Sequence, residues 1–102
     1  MAKRTKLLEP IHPGEILSEE FMKPLGVSIN RLSRDLGVPP NRIHGLVHGT
    51  RSITADTALR LGTYFGVAAE TWLNLQTEYD LRVARGTFGE EIARTVRKRT
   101  AA

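Results

Sequence analysis

Apolar residues recur along this chain at helical spacing, and no stretch has the strict alternation of a half-buried strand. The first periodic stretch opens at Pro13, which suits a first helical position because its missing N–H would be unpaired there anyway. Glu15 sits near the positive end of that helix, Ile16, Leu17, Glu20, Phe21 and Leu25 follow at helical intervals, and Pro24-Leu25-Gly26 closes it. Ser28 is placed to cap a second helix over 28–36, whose apolar residues Ile29, Leu32 and Leu36 share a face, and Gly37 ends it. Val38 and Pro39 lead into a third helix over 40–48, with Ile43, Leu46 and Val47 apolar and Gly49 as its stop. Thr54 can cap a fourth over 54–65, burying Ala58, Leu61 and Phe65, with Gly66 at its end. A fifth, over 70–84, carries Trp72, Leu73, Leu75, Gln76, Tyr79 and Val83. Phe88, Ile92 and Val96 then recur every four residues and predict a short sixth helix over 89–97. The expected fold is all-α, with five or six helices: a core domain over 12–84, a basic arm over 1–11 and a basic tail over 85–102.

The corner between the second and third helices is the most constrained part of the pattern. With Ile29 as the first position of a twenty-residue unit, Leu32, Leu36, Val38, Ile43 and Leu46 are apolar at the fourth, eighth, tenth, fifteenth and eighteenth positions. Ser33 is small at the fifth and Gly37 occupies the ninth. Two helices crossing steeply through a short turn need a small residue at the crossing, a glycine able to take positive φ, and apolar residues at the corner. This unit resembles the helix-turn-helix of the phage-repressor (Cro/CI-type, or XRE) family, which implies a lambda-repressor-like DNA-binding domain. The plainer alternative is an ordinary two-helix corner.

Charge adds a direction. The chain has 102 residues, 40% hydrophobic and 25% charged, with a net charge of +4; that is one soluble domain's worth of sequence, and a cytoplasmic protein is expected. Arg31, Arg34, Arg42, Arg51 and Arg60 against Asp35 and Asp56 leave residues 31–60 at +3, while 11–30 and 61–84 each stand at −2. The ends are basic again, +2 over 1–10 with Lys3, Arg4 and Lys6, and +3 over 85–102. A basic centre between acidic segments suggests one surface for a polyanion and another for a different partner, although charge blocks are commonly just solvated faces. No apolar run approaches a membrane span, and the absence of cysteine excludes disulfides and thiolate chemistry.

Read as a helix-turn-helix, the third helix enters the major groove of duplex DNA with its N-terminal part, and its outward residues are Pro40, Asn41, Arg42, His44, Gly45 and His48. Asn41 can pair with the N6/N7 edge of adenine, and Arg42 with guanine O6/N7 or a phosphate. The two prolines at its start and Gly45 leave it short of base-reading groups, so DNA shape is expected to carry part of the specificity. Thr50, Arg51 and Ser52 in the following loop, and the backbone at Ser28, are candidate phosphate contacts. Arg31 and Arg34 fit a solvated face as well as a phosphate contact.

Other chemistries are poorly supported. His44 and His48 have metal-ligand spacing, but no third ligand is evident. Glu15, Glu19 and Glu20 lie on the outside of an amphipathic helix without a pocket-forming partner. No phosphate loop or nucleophile motif is present, so neither an enzyme nor a cofactor is expected.

Further motifs narrow the resemblance. His12-Pro13-Gly14-Glu15, Gly26-Val27-Ser28, Trp72-Leu73-Asn74-Leu75-Gln76 and Tyr79-Asp80-Leu81-Arg82 together resemble the HigA (VapI-like) antitoxin family over residues 12–84. The resemblance implies a homodimer that binds the operator at its own promoter and blocks a HigB-like toxin, a small basic mRNA endonuclease, by direct binding. The alternatives are a free-standing regulator without a toxin, and a protein-binding inhibitor that uses the fold as a scaffold. A recognition helix reads few base pairs, so two copies about one helical turn (roughly 34 Å) apart are expected on a palindromic site. Trp72, Leu75, Tyr79 and Val83 supply apolar surface for dimerisation; the competing reading has Trp72 complete the monomer core. The acidic segments are candidate docking surfaces for the toxin, and the tail could dock on the domain, extend the dimer or order with a partner.

Overall fold

His12 starts the first helix by accepting the Gly14 N–H through Nδ1 at 2.9 Å, and Pro13 takes the first helical position. In this computed structural model, which describes residues 9–100, the chain is helical, with no strand among the described residues. Helix α1 is three contiguous pieces: Pro13–Ile16, a π-helical run Leu17–Met22, and Lys23–Leu25. The π run is not foreseen by the apolar spacing. Its physical reason lies in Pro24, which has no N–H to give and whose ring crowds the carbonyl one turn back. A wider turn just before it, with the Lys23 N–H reaching Ser18 O, relieves that crowding.

The next three helices follow their caps. Ser28 accepts the Arg31 N–H at 3.0 Å to open α2, Ile29–Leu36, and Gly37 closes it at φ 74°, a left-handed conformation that glycine adopts without steric cost. Helix α3, Pro40–Val47, begins on a proline whose missing donor is not needed there. Thr54 opens α4, Ala55–Phe65, which ends at Gly66.

Helix α5 corrects the expectation at the C-terminus. It runs unbroken from Ala69 to Thr95, 27 residues, so the fifth helix over 70–84 and the separate sixth helix over 89–97 are one element. Gly86 and Gly89 lie within it and weaken it without ending it, since a helical glycine costs about 1 kcal/mol relative to alanine but keeps its place in the ladder. The described residues therefore form five helices. The expected basic arm, with Lys3, Arg4 and Lys6, falls almost wholly outside the described residues.

The core gathers Leu17 and Met22 of α1, Leu32 and Leu36 of α2, Ile43 and Leu46 of α3, Ala58 and Leu61 of α4, and Trp72 of α5, with Val38 and Ile53 from the connections. Trp72 is 0% exposed, with Phe21 at 4.8 Å and Phe65 at 6.3 Å between ring centroids. That overturns its assignment to a dimer interface: no surface of the ring remains to offer a second chain, and its apolar area is already removed from water within the monomer. Gln76, one turn on, is buried too, accepting the Ile53 N–H at 2.7 Å and donating to Asp80 at 2.9 Å. It anchors the strandless connection between α3 and α4 onto α5.

Candidate DNA-binding face

The α2–α3 corner has the construction its sequence predicts. Ser33 is buried at the crossing and donates its hydroxyl to Asn30 O at 2.9 Å, while the Val38 N–H returns to Ser33 O at 3.0 Å. Ile43 and Leu46 turn into the core, which leaves Pro40, Asn41, His44 and His48 exposed on the other side of α3. His44 and His48 stack with ring centroids 4.0 Å apart, and His48 Nδ1 lies 2.8 Å from the His44 carbonyl. Among the described residues no group of three His, Asp or Glu side chains could hold a metal ion.

Two of the expected outward residues are placed differently. Gly45 is buried: a Cβ there would stand 2.8 Å from Arg51 Cγ and 2.9 Å from Cδ, so the aliphatic part of Arg51 occupies the space where a base-reading side chain would project. The Gly45 carbonyl accepts from Thr50 N at 2.9 Å and Arg51 N at 3.2 Å, tying the following loop to α3. Gly45 is thus the seat of the loop rather than a reader. Arg42 is half-buried and turned to α4, where its Nη1 meets Asp56 at 2.7 Å. Asp56 also receives Arg60 Nε at 3.0 Å, and Arg60 Nη1 donates to Leu36 O at 2.8 Å. Hydrogen bonds from Arg60 and then Arg42 hold the Asp56 carboxyl below its ordinary range. Asp35 is lowered similarly, first by the Tyr64 hydroxyl and then by Arg31.

Thr50, Arg51 and Ser52 are exposed beside α3. Ser28 stands at the far end of α2, its side chain spent on the cap. Of the remaining α5 residues expected at an interface, Leu75 and Tyr79 are half-buried and Val83 is exposed. Tyr79 packs edge-on against His12 at 4.9 Å, a contact the sequence reading missed. Desolvation lowers the His12 pKa below 6.5, partly opposed by a hydrogen bond to the Arg51 backbone and by Asp80. The His12-Pro13-Gly14-Glu15 signature was the available signal for that cluster, though spacing alone does not say what His12 touches.

Comparison with known proteins agrees with this geometry. Residues 19–72 match the helix-turn-helix family. Virulence-associated protein I of Dichelobacter nodosus is 58% identical over 74 residues, 72% of this chain and 68% of that protein. An addiction module antidote protein of the HigA family from Coxiella burnetii superposes with a TM-score of 0.85 at 47% identity, covering 89% of this chain and 99% of that one. The Pseudomonas aeruginosa antitoxin HigA, solved with the higBA promoter, gives 0.87 at 40% identity, over 90% and 100% of the two chains. The fold is lambda-repressor-like, and the class is one of DNA-binding antitoxins and regulators rather than enzymes. The chain is a member of the HigA antitoxin family, of the XRE helix-turn-helix type.

Proposed function

We propose that this chain is a homodimeric autorepressor that binds operator DNA through α3 and neutralises a HigB-like toxin by direct binding. The observation that carries the DNA-binding half is the exposed side of α3, Pro40, Asn41, His44 and His48, flanked by Thr50, Arg51 and Ser52 on a loop pinned to Gly45. The promoter-bound Pseudomonas relative supports the same use of the fold.

Helix α5 supports the dimer. At about 100° per residue, Trp72, Gln76, Tyr79 and Val83 share one face, whereas Leu81, Phe88 and Ile92 line the opposite one. Phe88 is 55% and Ile92 50% exposed. A second copy is the partner proposed for this outward stripe; Tyr79 and Val83, on the opposite face with Trp72, and half-buried Leu75 lie outside it. The exposed carboxylates Glu19 and Glu20 on α1, and Glu70 and Glu78 on α5, offer acidic ground to a basic toxin. No described helix is long and apolar enough to cross a membrane.

The test has two arms. DNA from upstream of this gene should bind the purified chain, with Asn41→Ala costing about 1–3 kcal/mol on that site only and Arg51→Ala reducing the salt slope by about one ion on any duplex. Expression of the adjacent small reading frame should arrest growth, and this chain should restore it. Absence of rescue would leave a free-standing regulator.

A further inference from the structure

We infer that His12 is a positioning residue for the DNA-facing loop, coupling the start of α1 and the side of α5 to Gly49–Arg51. This rests on the proposal that the loop meets DNA. Three segments converge on the imidazole. Nδ1 accepts the Gly14 N–H at 2.9 Å. The ring edge packs on Tyr79 at 4.9 Å. A Cβ built on Gly49 would lie 3.8 Å from His12 Cγ, so the loop crosses directly over the ring, and the ring also hydrogen-bonds the Arg51 backbone.

These contacts assign the proton. Because Nδ1 accepts, the ring's single N–H is on Nε2 and donates to the Arg51 backbone. A neutral imidazole with that tautomer satisfies both bonds. Protonation puts a hydrogen on Nδ1, facing the Gly14 N–H, so the cap at the start of α1 is lost. Loss of the cap lets the ring shift, and the Arg51 backbone, whose bond favours the charged form, shifts with it. The charged or titratable groups on the surrounding segments are Tyr79 and Asp80 on α5, Arg51 and His48 by the loop, and Glu15 on α1. Of these, Asp80 favours the charged ring, while burial opposes it more strongly. The loop is therefore held in place by a titratable group whose pKa burial lowers, away from any residue that faces the groove.

The chain has three histidines, so His44→Gln with His48→Gln leaves His12 as the only one. In that protein, backbone amide resonances of Gly14 and of Gly49, Thr50 and Arg51 should move together between about pH 7.5 and pH 5, following the His12 ring with a midpoint below its ordinary value. Adding His12→Asn keeps a capping oxygen but not the reach to Arg51 or the titration, and the loop amides should no longer move together. In protein that keeps His44 and His48, affinity for a duplex carrying the upstream DNA should fall about three- to tenfold further across that range with His12 present than with His12→Asn. Loop amides that stay still while His12 titrates would overturn the inference, as would equal pH dependence with and without His12. A duplex that binds at no pH counts against the operator reading, and the amide titration then decides the role of His12 by itself.

Discussion

The Cα of Gly14 lies so close to Leu46 that a side-chain carbon added there would stand 1.5 Å from the Leu46 carbonyl oxygen. The first helix is thus pressed, backbone to backbone, against the C-terminal turn of α3. Since the obstacle is main chain, it cannot rotate aside as a side chain would. Gly14→Ala should destabilise the fold by about 3 kcal/mol or more, read as a lower urea midpoint at unchanged slope.

Gly86→Ala should do the reverse. A Cβ there meets nothing within 4 Å, and the residue sits inside a helix. Stability should rise by about 0.5–1 kcal/mol, seen as greater helicity and a higher melting temperature.

Gln76→Leu tests the buried bridge to Ile53. The substitution fills similar space but leaves the Ile53 N–H without its 2.7 Å acceptor, and Asp80 without its donor. A loss of about 1–3 kcal/mol is expected, and amide exchange at Ile53 should accelerate.

Asp56 restrains Arg42. Replacing it with Ala removes the carboxylate between Arg42 and Arg60 and frees Arg42, while Arg60 keeps its bond to the Leu36 carbonyl. Binding to arbitrary duplex should tighten and the salt slope should steepen by about one ion. The ratio of operator to non-operator affinity should fall, because an unrestrained Arg42 can meet phosphate anywhere.

Stability should depend on pH through His12. Its folded-state pKa is lowered from 6.5, chiefly by burial, so the unfolded chain binds the proton more readily. The contribution is whole above pH 6.5 and is lost as pH falls through the lowered folded value. Urea midpoints should decline over that window in the native chain and hold steady with His12→Asn. Asp35 and Asp56, lowered from 3.8, add a second decline at more acid pH.

What could be read from sequence follows from how local each cause is. Helices α2, α3 and α4 are delimited by residues that act within a few positions, Ser28, Gly37, Pro40, Thr54 and Gly66, and their limits emerge within a residue or two. The exposed side of α3 followed from the apolar phase of Ile43 and Leu46. Gly45, by contrast, looked like a missing reader because its real occupant, Arg51, arrives from the next loop. Arg42 looked like a free base contact because Asp56 is fourteen residues away. Trp72 was divided between core and interface, since amphipathic spacing says that a residue is covered but not by which chain. The continuity of α5 was hidden by Gly86 and Gly89, which lower helix propensity without supplying anything that stops the helix.

Helix α5 spans 27 residues, about 40 Å at 1.5 Å per residue. Its first half is fixed in the core and its second half carries Phe88 and Ile92 on the reverse side, so it behaves as a shaft geared to the DNA-reading corner. Inserting one residue between Val83 and Phe88 would turn the far stripe by about 100° and advance it 1.5 Å. Two copies joined there would present their α3 helices at a new angle and separation. In the proposed dimer the spacing of operator half-sites would be encoded in the phase of a single helix, and a lineage could change it by an insertion or deletion without altering any residue proposed to touch a base.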